Sequence, residues 1–435
     1  MQLFSKRFKT SKQSFKRDFD SYVFSGVTPS SEVQDLVSSI IEEIQLKGDE
    51  ALIHYTNLFD KRDVKAIDEC IFDSSFLDNS YKTVNKEELV ALELSARRIE
   101  EFHRKTLLNY KNNHKNDFLY RVFNPLERAG VYVPGGKASY PSSVLMGCVP
   151  AQVAEVGEVC VTMPTPSGKY SHLTLAAAKI AKIDKVYTFG GAQAIAALSL
   201  GTESISRVDK IIGPGNKFVT EAKRQLYGRV GIDGIQGPSE IVVIANEDSK
   251  IEVVAWDLIS QAEHDEFARP ILISDSKDFI DNIEKNLLGF LKETERKEII
   301  LESFRNHGCA IEVRDISEAI DISNQIAPEH LHLSIKEVEK FIPKVLNAGL
   351  ILLGQESSIA LSDYILGPSH ILPTGGSARF ASSLCVEDFI KFSNIVDLRK
   401  MKKHEYENLI DNTIILANSE GLPAHAISAR VRKKP

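Results

Sequence analysis

Glutamate and histidine stand side by side at positions 329 and 330, in Ala-Pro-Glu-His-Leu-His-Leu. An adjacent carboxylate and imidazole can divide two proton transfers between them, since both titrate below neutrality but at different pH. Pro328 ends the preceding helix and a short strand follows, so the pair sits at a junction between elements. A satisfied hydrogen-bonding turn is the other reading of the same residues. His332 falls on the side of His330 if the strand alternates, and reads as packing or surface. Gln261 and His264, in Ser-Gln-Ala-Glu-His-Asp, lie three residues apart near the end of a helix. Side chains at that spacing share a face and can converge on one metal, although such pairs are also ordinary surface features. Asp363 follows the apolar run Leu350–Leu353 in what reads as a Gly/Ser-rich loop, either as a further ligand or as an N-cap. His370 sits in a Pro/Gly loop where an imidazole has little packing purpose. Glu420 and His425 bracket a turn in which Gly421 ends one helix and Pro423 opens the next, and both could reach into a site. His54, His103, His114, His172, His307 and His404 lie on charged helices or polar turns and read as surface.

These residues need elements to hold them. Residues 21–115 read as helical, with Val33, Leu36, Val37, Ile40, Ile41 and Ile44 at helical spacing and a second, more charged helix over 89–107. From about 120 the texture becomes α/β. Strand candidates at 159–163, 186–189, 208–212, 241–245 and 271–274 alternate with helical segments at 173–183, 192–200, 217–227 and 252–262. Such alternation predicts parallel sheets with crossover helices, whose ligands lie at the carboxyl ends of the strands. That rule directs attention to the turns 190–193, 213–216 and 237–240. Glycine there lets a ligand approach the backbone, and a helix N-terminus favours phosphate; each turn alone could also be a plain tight turn. The GxGxxG fingerprint is absent, and Asp209 begins a strand where a ribose-binding acid would end one. A dinucleotide site here would not follow the common recipe.

The chain has 435 residues, 43% hydrophobic and 26% charged, as in ordinary globular proteins. Fifty-three basic against 60 acidic residues give −7, which argues against a dedicated nucleic-acid binder. The basic segment 6–17 reads as a solvated N-terminal helix or arm, with a transit peptide as the alternative. The longest apolar stretch, 144–151, contains Pro150 and is too short to span a bilayer. Five cysteines, far apart and without a CxxC, fit a reducing cytoplasm and offer no disulfide framework or thiolate zinc site. Any metal must therefore be held by histidine and oxygen ligands.

In order along the chain come Gly-Asp-Glu-Ala-Leu at 48–52, Tyr-Thr-Asn-Leu-Phe-Asp at 55–60, Ala-Gly-Val-Tyr-Val-Pro-Gly-Gly at 129–136 and Pro-Ser-Ser-Val-Leu-Met at 141–146. Gly-Gly-Ala-Gln-Ala-Ile-Ala-Ala-Leu, Gly-Pro-Gly-Asn, Gly-Pro-Ser-Glu, Gln-Ala-Glu-His-Asp, Ala-Pro-Glu-His-Leu and His-Ile-Leu-Pro-Thr follow. This collinear set, over nearly the whole chain, resembles the histidinol dehydrogenase family. The resemblance implies a four-electron oxidation of L-histidinol to L-histidine through the bound aldehyde, with two NAD in turn. It implies one Zn2+ per subunit on Gln261, His264, Asp363 and His425, a thiolate-free set open to substrate nitrogens. His330 would be the general base and Glu329 the residue that activates water. Ser239, His370 and Glu420 match substrate contacts, together with the zinc ligands and His330; Tyr132, Gln193 and Asn216 match NAD contacts. The implied fold is two incomplete Rossmann-like parallel-sheet domains with small helical N- and C-terminal portions, in an intertwined cytoplasmic homodimer. The expected division is 1–120 helical, 121–240 the NAD-side domain, 241–385 the zinc and catalytic domain, and 386–435 a helical segment reaching the partner subunit. Two departures stand out: Ser369 where the family commonly has Asn, and Cys148 in place of another small residue. Cys148 raises a thiohemiacetal route to aldehyde oxidation, against which its apolar context argues. A relative acting on another small polyol, or one that binds zinc without turnover, would share much of this pattern.

Overall fold

Six short strands, four of them mostly buried and another the basic run Lys6–Lys9, form the second of two large sheets. In the computed structural model, which describes residues 3–23, 30–108, 118–135 and 140–433, its order is Lys6–Lys9, Cys309–Glu312, Arg269–Ser274, Glu240–Ala245, His330–Ser334 and Leu350–Leu353. Every neighbouring pair is parallel. The central strand Glu240–Ala245 is buried throughout, because helices cover both faces. Its side chains alternate: Ile241, Val243 and Ala245 enter one core with Val254, Leu258 and Phe304, while Val242 and Ile244 enter another with Ile320, Leu331 and Leu333.

The first large sheet runs Ile71–Asp73, Lys185–Tyr187, Glu158–Thr162, Arg128–Tyr132, Lys210–Ile212 and Gly231–Ile232. Only the edge strand Ile71–Asp73 is antiparallel to its neighbour. In each sheet the five consecutive strands of the α/β unit take the order 3-2-1-4-5, the doubly wound order 3-2-1-4-5-6 without its last strand. The two incomplete Rossmann-like sheets of the sequence reading are thus present.

The chain divides into two compact units, one of residues 1–107 and 125–389, the other of 108–124 and 390–435. The smaller holds the pairing of Leu119–Pro125 with Ile390–Val396 and the helices Lys403–Ser419 and Pro423–Arg430. No helix among the described residues is long and apolar enough to cross a membrane.

Three local readings change. The basic segment 6–17 is not a solvated arm: Lys6–Lys9 pairs with Cys309–Glu312 and leads to the helix Phe15–Val23, whose Phe19 is buried. Strong backbone pairing outweighs its charge, and its long basic side chains reach outward to Asp281 and Glu312. His103 is not on the surface; it is buried on the inner stripe of Lys86–Leu108 with Leu92, Ala96, Ile99 and Leu107. Asp363 lies in the short helix Ile359–Tyr364, not in a loop. His114 and Gly136 lie outside the described residues.

Candidate active site

The helix Ile316–Ile326 ends abruptly, with Ala327 in the left-handed region at φ 52° and Pro328 barring continuation. The chain then enters the strand His330–Ser334 with Glu329 and His330 at its amino end. The neighbouring strand starts at Glu240, and the two elements lock together there. The Glu329 carboxylate accepts a hydrogen bond from the Glu240 N–H at 2.7 Å. His330 Nδ1 lies 3.2 Å from the Glu240 carbonyl oxygen. A carbonyl only accepts, so Nδ1 carries a proton, and Nε2 is the nitrogen left to gain or lose the second one. Burial pushes the Glu329 carboxyl upward. Burial alone would lower His330, but Glu329 and Asp363 together hold it above its ordinary value.

The helix Ile251–Ala262 runs back along the sheet and delivers Gln261 and His264 to the same amino edge. Asp363 arrives on its own short helix, with Oδ1 3.6 Å from His330 Nε2. That is too long for a hydrogen bond, and neither atom has another partner. The Gln261 Oε1 is likewise buried without a partner. His264 has an exposed face, but the protein packed around it lowers its pKa by desolvation, with Asp363 opposing and His330 and His370 adding to the shift. His370 closes the far side: Nδ1 donates to the Asp363 carbonyl at 2.9 Å, leaving Nε2 to meet the Ser143 hydroxyl at 3.1 Å. Ser369 is buried, and its hydroxyl accepts from the Ile371 N–H at 3.1 Å, which secures the loop that carries His370. Ser239 is half-buried at the entrance to the strand Glu240–Ala245.

These residues gather at the amino edge of the second sheet, contrary to the expectation of a carboxyl-end site there. The carboxyl-end rule holds for the first sheet. Tyr132 ends its central strand and accepts a hydrogen bond from the Gly191 N–H at 3.1 Å. Gln193, at the start of the helix Gly191–Leu200, is 1% exposed and both its amide atoms lack partners. Gly213 sits at φ 108°, and a side chain there would run into the Tyr132 carbonyl. Asn216 caps the helix Lys217–Leu226, accepting from the N–H groups of Phe218 and Val219 at 3.0 and 3.2 Å. Ser143, on the helix after the Tyr132 strand, touches His370 at 3.1 Å, which ties the carboxyl edge of the first sheet to the loop that carries His370.

Sequence reasoning missed the support of the site. Arg269 opens the strand beside Glu240 and pairs with it at 3.0 Å, stacking on the Tyr22 ring 4.6 Å away. Glu240 also receives the Gly375 N–H at 3.2 Å, and Thr374 receives that of Gly237. The available signal was a charged residue opening an otherwise apolar strand, at both positions 240 and 269.

Unpartnered, buried oxygens on Gln261 and Asp363 beside an imidazole are a donor set suited to a borderline cation such as zinc. Among the described residues, no three His, Cys, Asp or Glu side chains stand together as a metal site. The proposed set counts a glutamine, and its His425 belongs to the smaller unit. There Glu420 and His425 are both exposed around the turn closed by Gly421 at φ 72°.

A family model for histidinol dehydrogenase matches residues 25–433. The chain is 41% identical over 431 residues to a histidinol dehydrogenase of Neisseria gonorrhoeae, covering 99% of this chain and 100% of that one. It is 44% identical over 420 residues to one of Pseudomonas putida, covering 96% and 95%. A crystal structure of histidinol dehydrogenase from Elizabethkingia anophelis superposes with a TM-score of 0.90 at 32% identity, covering 99% of this chain and 98% of that one. With the family matched along nearly its whole length, the chain belongs to the histidinol dehydrogenases, a family of oxidoreductases.

Proposed function

We propose that the chain converts L-histidinol to L-histidine through a bound L-histidinaldehyde, passing one hydride to each of two NAD molecules at the end of histidine biosynthesis. The observation that carries this reading is the Glu329–His330 pair at the amino edge of the second sheet, with His330 Nδ1 committed to Glu240 and Nε2 unpartnered. His330 Nε2 takes the hydroxyl proton as the first hydride leaves for NAD. Glu329 takes a proton from the water that adds to the aldehyde carbon. His330 returns its proton to the carbonyl oxygen as the hydrate forms, then takes a hydroxyl proton of the hydrate as the second hydride leaves; the carboxylic acid so formed loses its proton to solvent, giving the carboxylate.

Gln261, His264, Asp363 and His425 would hold one zinc per subunit, which supplies positive charge to anchor the substrate's imidazole and amine nitrogens. Ser239, His370 and Glu420 orient the polar substrate. Tyr132, Gln193 and Asn216 contact NAD, a role supported by the unpartnered Gln193 amide and by two helix N-termini at that edge. In the homodimer, Glu420 and His425 serve the site of the other subunit, which accounts for their exposure on a rigid turn. Five free cysteines suit the reducing cytoplasm in which this synthesis is placed.

The test is a zinc-loaded preparation given NAD with histidinol or with a panel of small polyols and amino alcohols, followed by NADH absorbance. Histidinol should be strongly preferred. No NADH from histidinol, or faster turnover of another alcohol, would overturn the assignment.

A further inference from the structure

Beneath the proposed site lies a buried pair that the proposed chemistry does not use. His332 follows His330 by two residues on the same strand, so both side chains leave the same face, opposite Leu331 and Leu333. Asp257 precedes Gln261 by one turn of the helix Ile251–Ala262, so these two also share a face. His332 Nδ1 and Asp257 Oδ2 are 2.6 Å apart, with the imidazole fully buried and the carboxylate nearly so. On its other side, His332 Nε2 lies 2.8 Å from the Gly354 carbonyl oxygen. Gly354 follows the strand Leu350–Leu353 and leads into the helix that carries Asp363.

One imidazole therefore joins three segments, and each bears a residue of the proposed site: Gln261, His330 and Asp363. The Gly354 carbonyl can only accept, so Nε2 carries a proton. Nδ1 and Asp257 Oδ2 face each other at 2.6 Å, and neither has a hydrogen-bond partner elsewhere. The pair sits in the core, where each polar group depends on the other. Apolar side chains of the same volume would pack this helix on this strand without it, which leaves register as the pair's distinctive contribution.

We propose that Asp257 and His332 are positioning residues that set the register of the helix Ile251–Ala262 against the strand His330–Ser334. They thereby fix the separation of Gln261, His330 and Asp363. The proposal rests on the zinc reading above for its functional consequence.

The experiment compares wild type, Asp257→Ala and Asp257→Asn as full chains. Zinc affinity is read by chelator competition, and kcat and KM by NADH formation. In Asp257→Ala, zinc should bind about 10-fold or more weakly and kcat should fall, with KM for NAD unchanged. Asp257→Asn should stay within about 3-fold of wild type, because its amide can donate to Nδ1 and keep the tie. A folded Asp257→Ala with unaltered zinc affinity and kcat would overturn the proposal. So would an Asp257→Asn as impaired as a truncation, and that variant decides the matter if Asp257→Ala does not fold. A wild-type chain that takes up no zinc would defeat the functional reading instead. In that case hydrogen exchange over residues 255–264 decides the positioning claim, with faster exchange in Asp257→Ala supporting it and equal exchange overturning it.

Discussion

The Glu329 carboxylate accepts the backbone N–H of Glu240 at 2.7 Å, across the junction where two parallel strands begin. This bond fixes the carboxylate beside His330 whether or not the group is ionised. A glutamine could accept the same bond through its amide oxygen but could not take a proton from water. Glu329→Gln should therefore keep the first oxidation within about ten-fold while aldehyde oxidation slows by on the order of 10²–10³. Rapid-mixing assays begun separately from histidinol and from histidinaldehyde measure the two steps. Equal loss in both would contradict the division of labour between Glu329 and His330.

Cys148 lies inside the helix Pro141–Val153 and is wholly buried. Burial pushes its thiol far above the ordinary cysteine range, so no thiolate is present to attack an aldehyde. Cys148→Ala should retain both oxidation steps within about three-fold, since a hydride-transfer route with water as nucleophile needs no thiol. Loss of the aldehyde step alone in this variant would restore the covalent route.

His103 is buried with neither ring nitrogen hydrogen-bonded, and burial lowers its pKa to about 4. The unfolded chain takes up a proton near pH 6.5, whereas the folded one resists it until about pH 4. Stability from this group is complete above 6.5 and is lost as pH falls through that window, by roughly 2–4 kcal/mol. Urea unfolding between pH 4 and 7 should show the loss in wild type and a shallower slope in His103→Leu. Parallel slopes would assign the pH dependence to other groups.

The proposed exchange of Glu420 and His425 between subunits makes dimerisation and metal retention one property. Dilution to monomers should release zinc and abolish activity together, as followed by sedimentation with metal analysis. An active, zinc-loaded monomer would contradict the shared site.

Most of the architecture was legible because its strands are buried on both faces: the runs near 241–245 and 271–274 read as strands and end within two residues of the observed ones. The glycine turns at 190 and 213 were equally plain, since each follows a strand and opens a helix. The amino-edge location of the second cluster was not legible. Glu240, Arg269 and His330 each open a strand, and their meeting depends on which strands are neighbours, a long-range property absent from local pattern. His103 was misread because its charged helical neighbours masked the stripe Leu92, Ala96, Ile99 and Leu107, whose spacing already pointed inward. Asp257 carried no local signal; only the register of its helix against His332 reveals it.

The proposed reaction is a four-electron oxidation carried out at one site. It is tested most directly by counting NADH formed per histidinol consumed, with zinc-loaded protein, excess NAD and limiting histidinol. Two NADH and one histidine should form for each histidinol, with no aldehyde released. One NADH with free histidinaldehyde, or none at all, would contradict it.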